Sequence, residues 1–416
     1  MSVTSPGQDG VVIVGAGAAG LATVEGLRAH GYNGAVRLIG DEAHLPYDRP
    51  PLSKDLLTGP PELSQLHLST PQRLSQLQVQ VLRGAAAERL SIPQRTVHLD
   101  DGRALTYEHL VLATGVRPRP VPGITALRGV HHLRTVDEAG ALHADLQAGR
   151  RLVVLGGGLV GAEVAAVAAI LGLSVTVLCR AQHLLAGAGV GADLDAHLLD
   201  LHQQHGVHVR TGPDAQAIGL TEEHGRVTGV RTADGTVTPA DVLLVAGGSA
   251  PAVGWLAGSG LDVSDGVLSD VCLRAGEDVY AVGDVCRWPH PRTGQLERVE
   301  HRSNATEQGL HVGQQIATGV ACPFDAVPYF WSRQFGMTLH AYGWLRRHDH
   351  VRLAEGSFAE GKFVLTYHHG DQLVGVVGAR SARSLRDLRK VLETTGDLSA
   401  TASVPGRSDE LDVSRR

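Results

Sequence analysis

The sequence predicts an α/β protein containing two parallel-sheet units, and three observations predict it. A hydrophobic run that breaks into spaced glycines occurs twice, as VVIVGAGAAG (residues 11–20) and LVVLGGGLVGAE (152–163). Each copy continues into an apolar segment of helical length and then into a second apolar run, the order strand, turn, helix, strand. The chain has 416 residues, too many for one simple core, so two or three domains are expected.

In the first copy, residues 11–14 read as a short buried strand, and Gly15, Gly17 and Gly20 match G-x-G-x-x-G. The first glycine allows the tight turn, the second lets backbone approach a pyrophosphate, and the third lets helix and strand pack closely. Ala18 and Ala19 follow at the start of a helical segment that runs over residues 21–29. Free N–H groups and the positive end of the helix dipole meet a phosphate there. AVRLIGDE (35–42) reads as the second strand, ending at Asp41 and Glu42. Asp41 stands where an acid accepts hydrogen bonds from a ribose.

The second copy repeats the order. Residues 151–155 form the strand, and Gly156, Gly158 and Gly161 carry the fingerprint. Leu159 and Val160 open a helix that includes Glu163, and SVTVLC (174–179) is the next strand. Its end departs from the pattern: Cys179 replaces the ribose-binding acid and Arg180 follows. A carboxylate there repels a 2′-phosphate, whereas a neutral residue beside an arginine favours NADPH over NADH. A solvated strand end is the other reading of Arg180. Residues 152–178 are also apolar enough for a membrane span, but Glu163, the triple glycine and the change of periodicity read as strand, helix, strand. Two such units in one chain imply two dinucleotides, one tightly held flavin and one exchanging nicotinamide, with hydride passing between them.

Further landmarks agree. Residues 110–123 read as a strand, then Ala113, Thr114 and Gly115, then a proline-rich exit. Residues 241–251 echo them and include Gly247; both stretches look like chain crossings between domains. In EDVYAVGDVC (277–286), Gly283 and Asp284 follow a strand, where an acid bonds a flavin ribityl chain or is simply a turn acid. Net charge is −6 and pI about 6.4, so no global basic field for nucleic acid exists. Four cysteines form no CxxC pair and the N-terminus is polar, which fits a cytoplasmic protein without a disulfide framework. The 22 histidines are scattered, and neither HDH (348–350) nor HH (368–369) has ligand spacing with a third partner, so no metal is expected.

LPYDRPPLSKDLL (45–57), LATGVRPRP (112–120), VVLGGGLVGAEVA (153–165), YAVGDV (280–285), VEHRSNATEQG (299–309) and PYFWSRQFG (328–336) together resemble the FAD-dependent NAD(P)H:ferredoxin reductases of cytochrome P450 and Rieske oxygenase systems. The resemblance covers nearly the whole chain. It implies a glutathione-reductase-like fold: two Rossmann-type dinucleotide-binding domains plus a C-terminal α+β domain. The expected bounds are 1–113 with 245–325 for FAD, 114–244 for NAD(P)H, and 326–400 for the C-terminal domain, with a disordered tail at 401–416. It implies that Arg49 and Lys54 lie close to the flavin, that Ala87, Arg134 and Asp284 help hold FAD, that Glu300 and His301 border it, that Trp331 packs near the rings and that Glu163 approaches the nicotinamide. Arg333 stands where an acid is usual in this element, and His301-Arg302 replaces a serine-containing pair.

Lys54 is one of three lysines among 37 basic residues, which suggests that a compact ammonium is wanted there. Near a flavin it could stabilise developing negative charge and pair with Glu163; an exposed lysine is the plainer reading. No cysteine lies in the first half of the FAD region, where relatives that reduce disulfides or peroxides need one; the matching position is Ser53. Electrons must then leave for an external carrier, a [2Fe–2S] ferredoxin. In GARSARSLRDLRKVLE (378–393), Arg380, Arg383, Arg386 and Arg389 recur every third residue, a basic stripe for an acidic ferredoxin or an ordinary solvated helix face, while Leu385, Leu388 and Leu392 face the core. The alternatives are a redox-sensing flavoprotein resembling apoptosis-inducing factors, and an NAD(P)H oxidase or peroxidase. Neither a membrane nor a nucleic acid is expected as partner, and a monomer and a homodimer are both compatible.

Overall fold

A computed structural model describes residues 10–59 and 63–394. The expected tail at 401–416 lies outside the described residues. The first glycine unit folds as β1 (Val11–Val14), α1 (Ala18–Ala29) and β2 (Val36–Gly40), followed by β3 (Val79–Arg83) and β4 (His109–Leu112). The helix begins three residues before the sequence reading placed it, because Gly17 itself caps it. β1 and the first four residues of β2 are buried apolar runs apart from Arg37, as expected of strands covered on both faces.

The chain crosses out through β5 (Val116–Pro118) and builds a second unit: β6 (Arg151–Leu155), α2 (Leu159–Ile170), β7 (Ser174–Cys179), α3 (Ala192–Gln204), β8 (His208–Thr211) and β9 (Val242–Val245). The apolar stretch of 152–178 is thus strand, helix and strand. No helix among the described residues is long and apolar enough to cross a membrane. The return crossing, β10 (Ser249–Pro251), pairs antiparallel with β5, so the two crossings form one ribbon. The chain then re-enters the first sheet through β11 (Val279–Ala281), giving the order 274–276, β11, β4, β1, β2, β3. The second sheet has the order β8, β7, β6, β9 and 130–131.

α4 (Arg302–Thr318) packs along α1 with its backbone very close. A Cβ on Gly309 would lie 2.3 Å from the Ala19 carbonyl oxygen, and one on Gly26 2.5 Å from that of Leu310. These glycines bring the two helices together with their N-termini at one place. The remaining chain forms an antiparallel sheet, β12 (Tyr329–Gln334), β13 (Met337–Gly343), β14 (His350–Ser357), β15 (Lys362–His369) and β16 (Gln372–Ala379), in the order β12, β13, β16, β15, β14. It is backed by α5 (Ala382–Thr394), whose Leu385 and Leu392 are buried and whose Leu388 packs against the same core.

Candidate dinucleotide cavity

A cavity of about 620 Å³ runs from the α1 turn to β12. The first glycine turn shapes one side of it. Gly15 has φ +119°, and its Cβ would strike the Ala113 carbonyl oxygen at 2.1 Å; a Cβ on Gly20 would lie 2.0 Å from the Gly15 oxygen. Gly20 is therefore a packing glycine and does not line the cavity. A Cβ on Gly17 meets nothing within 4 Å, so the backbone there faces open space. α1 and α4 both start without a side-chain cap, which leaves first-turn N–H groups for a ligand. At the second helix start, His301 Nδ1 is buried with no partner among the described residues. This set of open N–H groups and one orphaned nitrogen fits an elongated anionic dinucleotide.

A polar cluster lines the middle. Tyr47 donates to Glu42 at 2.5 Å, and Arg49 donates to Glu42 at 2.8 Å and to the Arg134 carbonyl at 2.5 Å. Arg134 pairs with Asp284 at 3.2 Å. Burial raises the Asp284 carboxyl and Arg134 opposes that shift. Burial also pushes His301 down to about 4, so its imidazole is neutral at neutral pH. Asp41 is half-exposed and held by Arg117 at 3.0 Å. Ala87, Thr114, Gly115, Gly283 and Glu300 line the same cavity, and Ser249 hydrogen-bonds Glu300.

At the far end, three regions of the chain meet on one carboxylate. Glu163 of α2 is 3% exposed and Lys54 is 8% exposed. Lys54 Nζ lies 2.7 Å from Glu163 Oε2, and Ser53 donates to the same oxygen at 2.6 Å. Ser332 of β12 donates to Oε1 at 2.8 Å, and the Arg333 N–H does so at 3.3 Å. Lys54 also donates to Pro50 and Ser53, at 3.0 and 3.2 Å, so each of its three protons has an acceptor. Leu159 and Val160 border this end, and Trp331 closes it, stacked on Tyr329 with centroids 5.8 Å apart.

Some expected residues lie elsewhere. The second glycine turn repeats the first: Gly156 has φ +112°, a Cβ on Gly161 would lie 2.2 Å from the Gly156 oxygen, and Gly158 is open. Gly156, Gly158, Gly161, Gly247, Cys179 and Arg180 do not line the cavity but sit past the ends of β6, β7 and β9 and in the first turn of α2. Arg180 is exposed, whereas Cys179 is 5% exposed and packs beneath Gly157 of the second glycine turn. On the basic stripe, Arg380 is exposed but precedes α5 in a left-handed conformation, Arg383 and Arg386 are exposed on the helix, and Arg389 is half-exposed, lying over Tyr342 and paired with Glu393.

The sequence reading missed Tyr47, Phe330 and the far wall at Val253 and Trp255, and Ser332 behind Glu163. Tyr47 and Ser332 lie inside quoted motifs, so the signal was present without a role. The wall at 253–255 carries none. The four cysteines are free, and no cysteine is among the described residues lining the cavity. No group of three metal-ligating side chains occurs among the described residues.

The pyridine nucleotide-disulphide oxidoreductase family model matches residues 9–309, and the reductase C-terminal model matches 329–408. The chain is 36% identical to rhodocoxin reductase of Rhodococcus erythropolis over 387 residues, 92% of this chain and 89% of that protein. It is 35% identical to putidaredoxin reductase of Pseudomonas putida, covering 88% of each. The crystal structure of a covalent putidaredoxin reductase–putidaredoxin complex superposes with a TM-score of 0.87 at 34% identity, covering 92% of this chain and 93% of that one. With both models matched and relatives aligned over most of its length, the chain belongs to the pyridine nucleotide-disulphide oxidoreductase family and carries that family's reductase C-terminal domain.

Proposed function

We propose that the chain is an FAD-dependent NAD(P)H:ferredoxin reductase. It takes a hydride from a nicotinamide dinucleotide and passes single electrons to a [2Fe–2S] ferredoxin that serves a cytochrome P450 or a Rieske oxygenase. One observation carries this reading. The cavity has two helix starts for a dinucleotide, a buried ion pair at its far end, and no cysteine among its described lining residues. Electrons that enter have no thiol to go to in the site, and the named relatives are reductases of small redox proteins. A peroxidase of the thiol-dependent kind has no support in this lining.

When bound, FAD supplies two-electron acceptance and one-electron release. The chain supplies position and field. Gly17, Ala18 and Ala19 would hold the pyrophosphate, Asp41 or Glu42 the ribose, and Asp284 with Arg134 the ribityl chain. Lys54 Nζ, fixed by Glu163 and Ser53, would face the ring end. Trp331 covers the ring end and keeps water out. The domain bounds 1–113 with 245–325, 114–244 and 326–400 belong to this reading, supported by the three largest sheets among the described residues and the β5–β10 ribbon. So does a cytoplasmic setting, supported by the free thiols.

The coenzyme preference proposed is for NADPH over NADH. No carboxylate ends β7, and Arg180 is exposed there, placed to pair with a 2′-phosphate. Arg180→Ala should lower the NADPH:NADH ratio of kcat/KM about tenfold; an unmoved ratio refutes the assignment. The function itself is tested by purifying the chain, recording its flavin spectrum, and following ferredoxin reduction with each nicotinamide. A protein that takes up no flavin, or whose flavin passes no electrons to any ferredoxin, is something else.

A further inference from the structure

Glu163 is reached from a second direction by a line of buried side chains. Ser332 Oγ donates to Glu163 Oε1 at 2.8 Å, and Gln334 Nε2 donates to Ser332 Oγ at 3.1 Å. Gln334 Oε1 then lies 2.9 Å from His202 Nε2 on α3. Ser332, Gln334 and His202 are at most 2% exposed. None of these steps depends on a cofactor being present.

The direction of every bond in this line follows from its end. A carboxylate only accepts, so the Ser332 hydroxyl proton points to Glu163. Its oxygen is then the acceptor for the Gln334 amide N–H, which turns the amide oxygen toward His202. His202 must therefore carry its proton on Nε2. Its Nδ1 is buried with no partner among the described residues, and burial lowers its pKa, so the ring is neutral. Phe335 packs edge-on against the ring at 5.0 Å and leaves it little freedom to turn. The line joins all three sheet systems: His202 and Glu163 come from the second unit, Ser332 and Gln334 from β12, and Lys54 from the first unit.

We propose that Gln334 and His202 are positioning residues for the Glu163–Lys54 pair. A one-way donor chain, His202 to Gln334 to Ser332 to Glu163, fixes the carboxylate and through it the ammonium at the ring end of the cavity. Without the chain, Ser332 loses the donor that orients its hydroxyl. Oε1 then keeps only the long bond from the Arg333 N–H, and the pair can rotate as a unit. Displacement of a charge by about 1 Å is enough to cost one or two orders of magnitude in a positioned reaction. This inference rests on the function proposed above for its kinetic part only.

The test uses the full chain in four variants: Gln334→Met, which keeps length and volume, Ser332→Ala, His202→Leu, and His202→Gln, which keeps an N–H donor. Rapid-mixing reduction of the bound flavin by NAD(P)H should slow on the order of tenfold in Gln334→Met and Ser332→Ala, with the dissociation constant for the nicotinamide unchanged. His202→Gln should recover most of the rate that His202→Leu loses. Independently, ¹⁵N NMR of the labelled chain should show His202 as the Nε2–H tautomer, assigned by its loss in His202→Gln and perturbed in Gln334→Met. An Nδ1–H tautomer overturns the chain whether or not the protein holds flavin. Unchanged reduction in Gln334→Met and Ser332→Ala, or equal rates in His202→Gln and His202→Leu, overturns the positioning role. A wild-type chain without flavin would strike the function alone, since the tautomer is read on the polypeptide.

Discussion

Lys54 shows how burial changes what a single residue does. In the sequence it reads as one of three lysines, wanted for a compact charge near a flavin. In the fold it is 8% exposed and paired at 2.7 Å with a carboxylate that is 3% exposed. Removing one partner of such a pair leaves an uncompensated buried charge and costs about 3–5 kcal/mol. Lys54→Ala should therefore both slow flavin reduction and lower the denaturant midpoint. Lys54→Met combined with Glu163→Gln should recover most of the stability without recovering the rate. If the double variant is as unstable as the single one, the pair is not the cause. The partner Glu163 was legible because both residues lie in recognisable motifs. Ser53 and Ser332 were not, because a serine in a motif does not reveal where its hydroxyl points.

At the scale of elements, the site depends on two helices that start at the same cavity. α1 and α4 are 284 residues apart at their first positions, 18 and 302. Their contact is built on glycines: a Cβ on Gly313 would lie 2.5 Å from the Thr23 oxygen and 2.7 Å from the Leu27 nitrogen. These are backbone atoms that cannot turn aside. Gly313→Ala should destabilise the protein by about 1–3 kcal/mol and loosen flavin binding, measured by urea unfolding and cofactor release. Wild-type stability in that variant would mean the helices slide without cost. Nothing in HVGQQ advertises this contact; its glycine reads as an ordinary helix weakness until α1 lies against it. The strands of both glycine units, by contrast, were plain in sequence, since short apolar runs between turn residues have few other uses.

Across the whole molecule, the fully buried His290 meets Trp344 of the C-terminal core edge-on, with ring centroids 5.1 Å apart. Its Nε2–H donates to the Ala326 carbonyl at 3.1 Å and its Nδ1 accepts from the Arg292 N–H at 3.2 Å, so the neutral ring uses both nitrogens. Burial pushes its pKa down to about 4, against about 6.5 when unfolded. Below 6.5 the unfolded chain takes up a proton that the native chain refuses. This contribution to stability is thus full above pH 6.5 and lost as pH falls toward 4. His290→Gln should flatten the rise of the urea midpoint between pH 4.5 and 6.5; an identical slope would exonerate the residue. Net charge is −6, so an acidic carrier must find a local basic surface. Of the four arginines expected to form one, Arg383 and Arg386 remain exposed on α5. Reversing both charges should weaken the salt dependence of ferredoxin reduction, and an unaltered dependence would move the docking surface elsewhere.

Residue order alone carried the two nucleotide units, their succession, the crossings at 110–123 and 241–251, and the need for an acceptor outside the chain. Those features are local: a glycine turn between a buried strand and a helix has the same physical requirements wherever it occurs. Only the folded chain reveals that Cys179 is packed away, that Arg389 pairs with Glu393 over Tyr342, and that Lys54 and Ser332 meet on the Glu163 carboxylate. Burial and hydrogen-bond partners belong to pairs of residues, and here the partners lie 109 and 169 positions apart. No spacing rule along the chain carries such a distance; only the folded path that brings β12 and α2 to the end of the first sheet does.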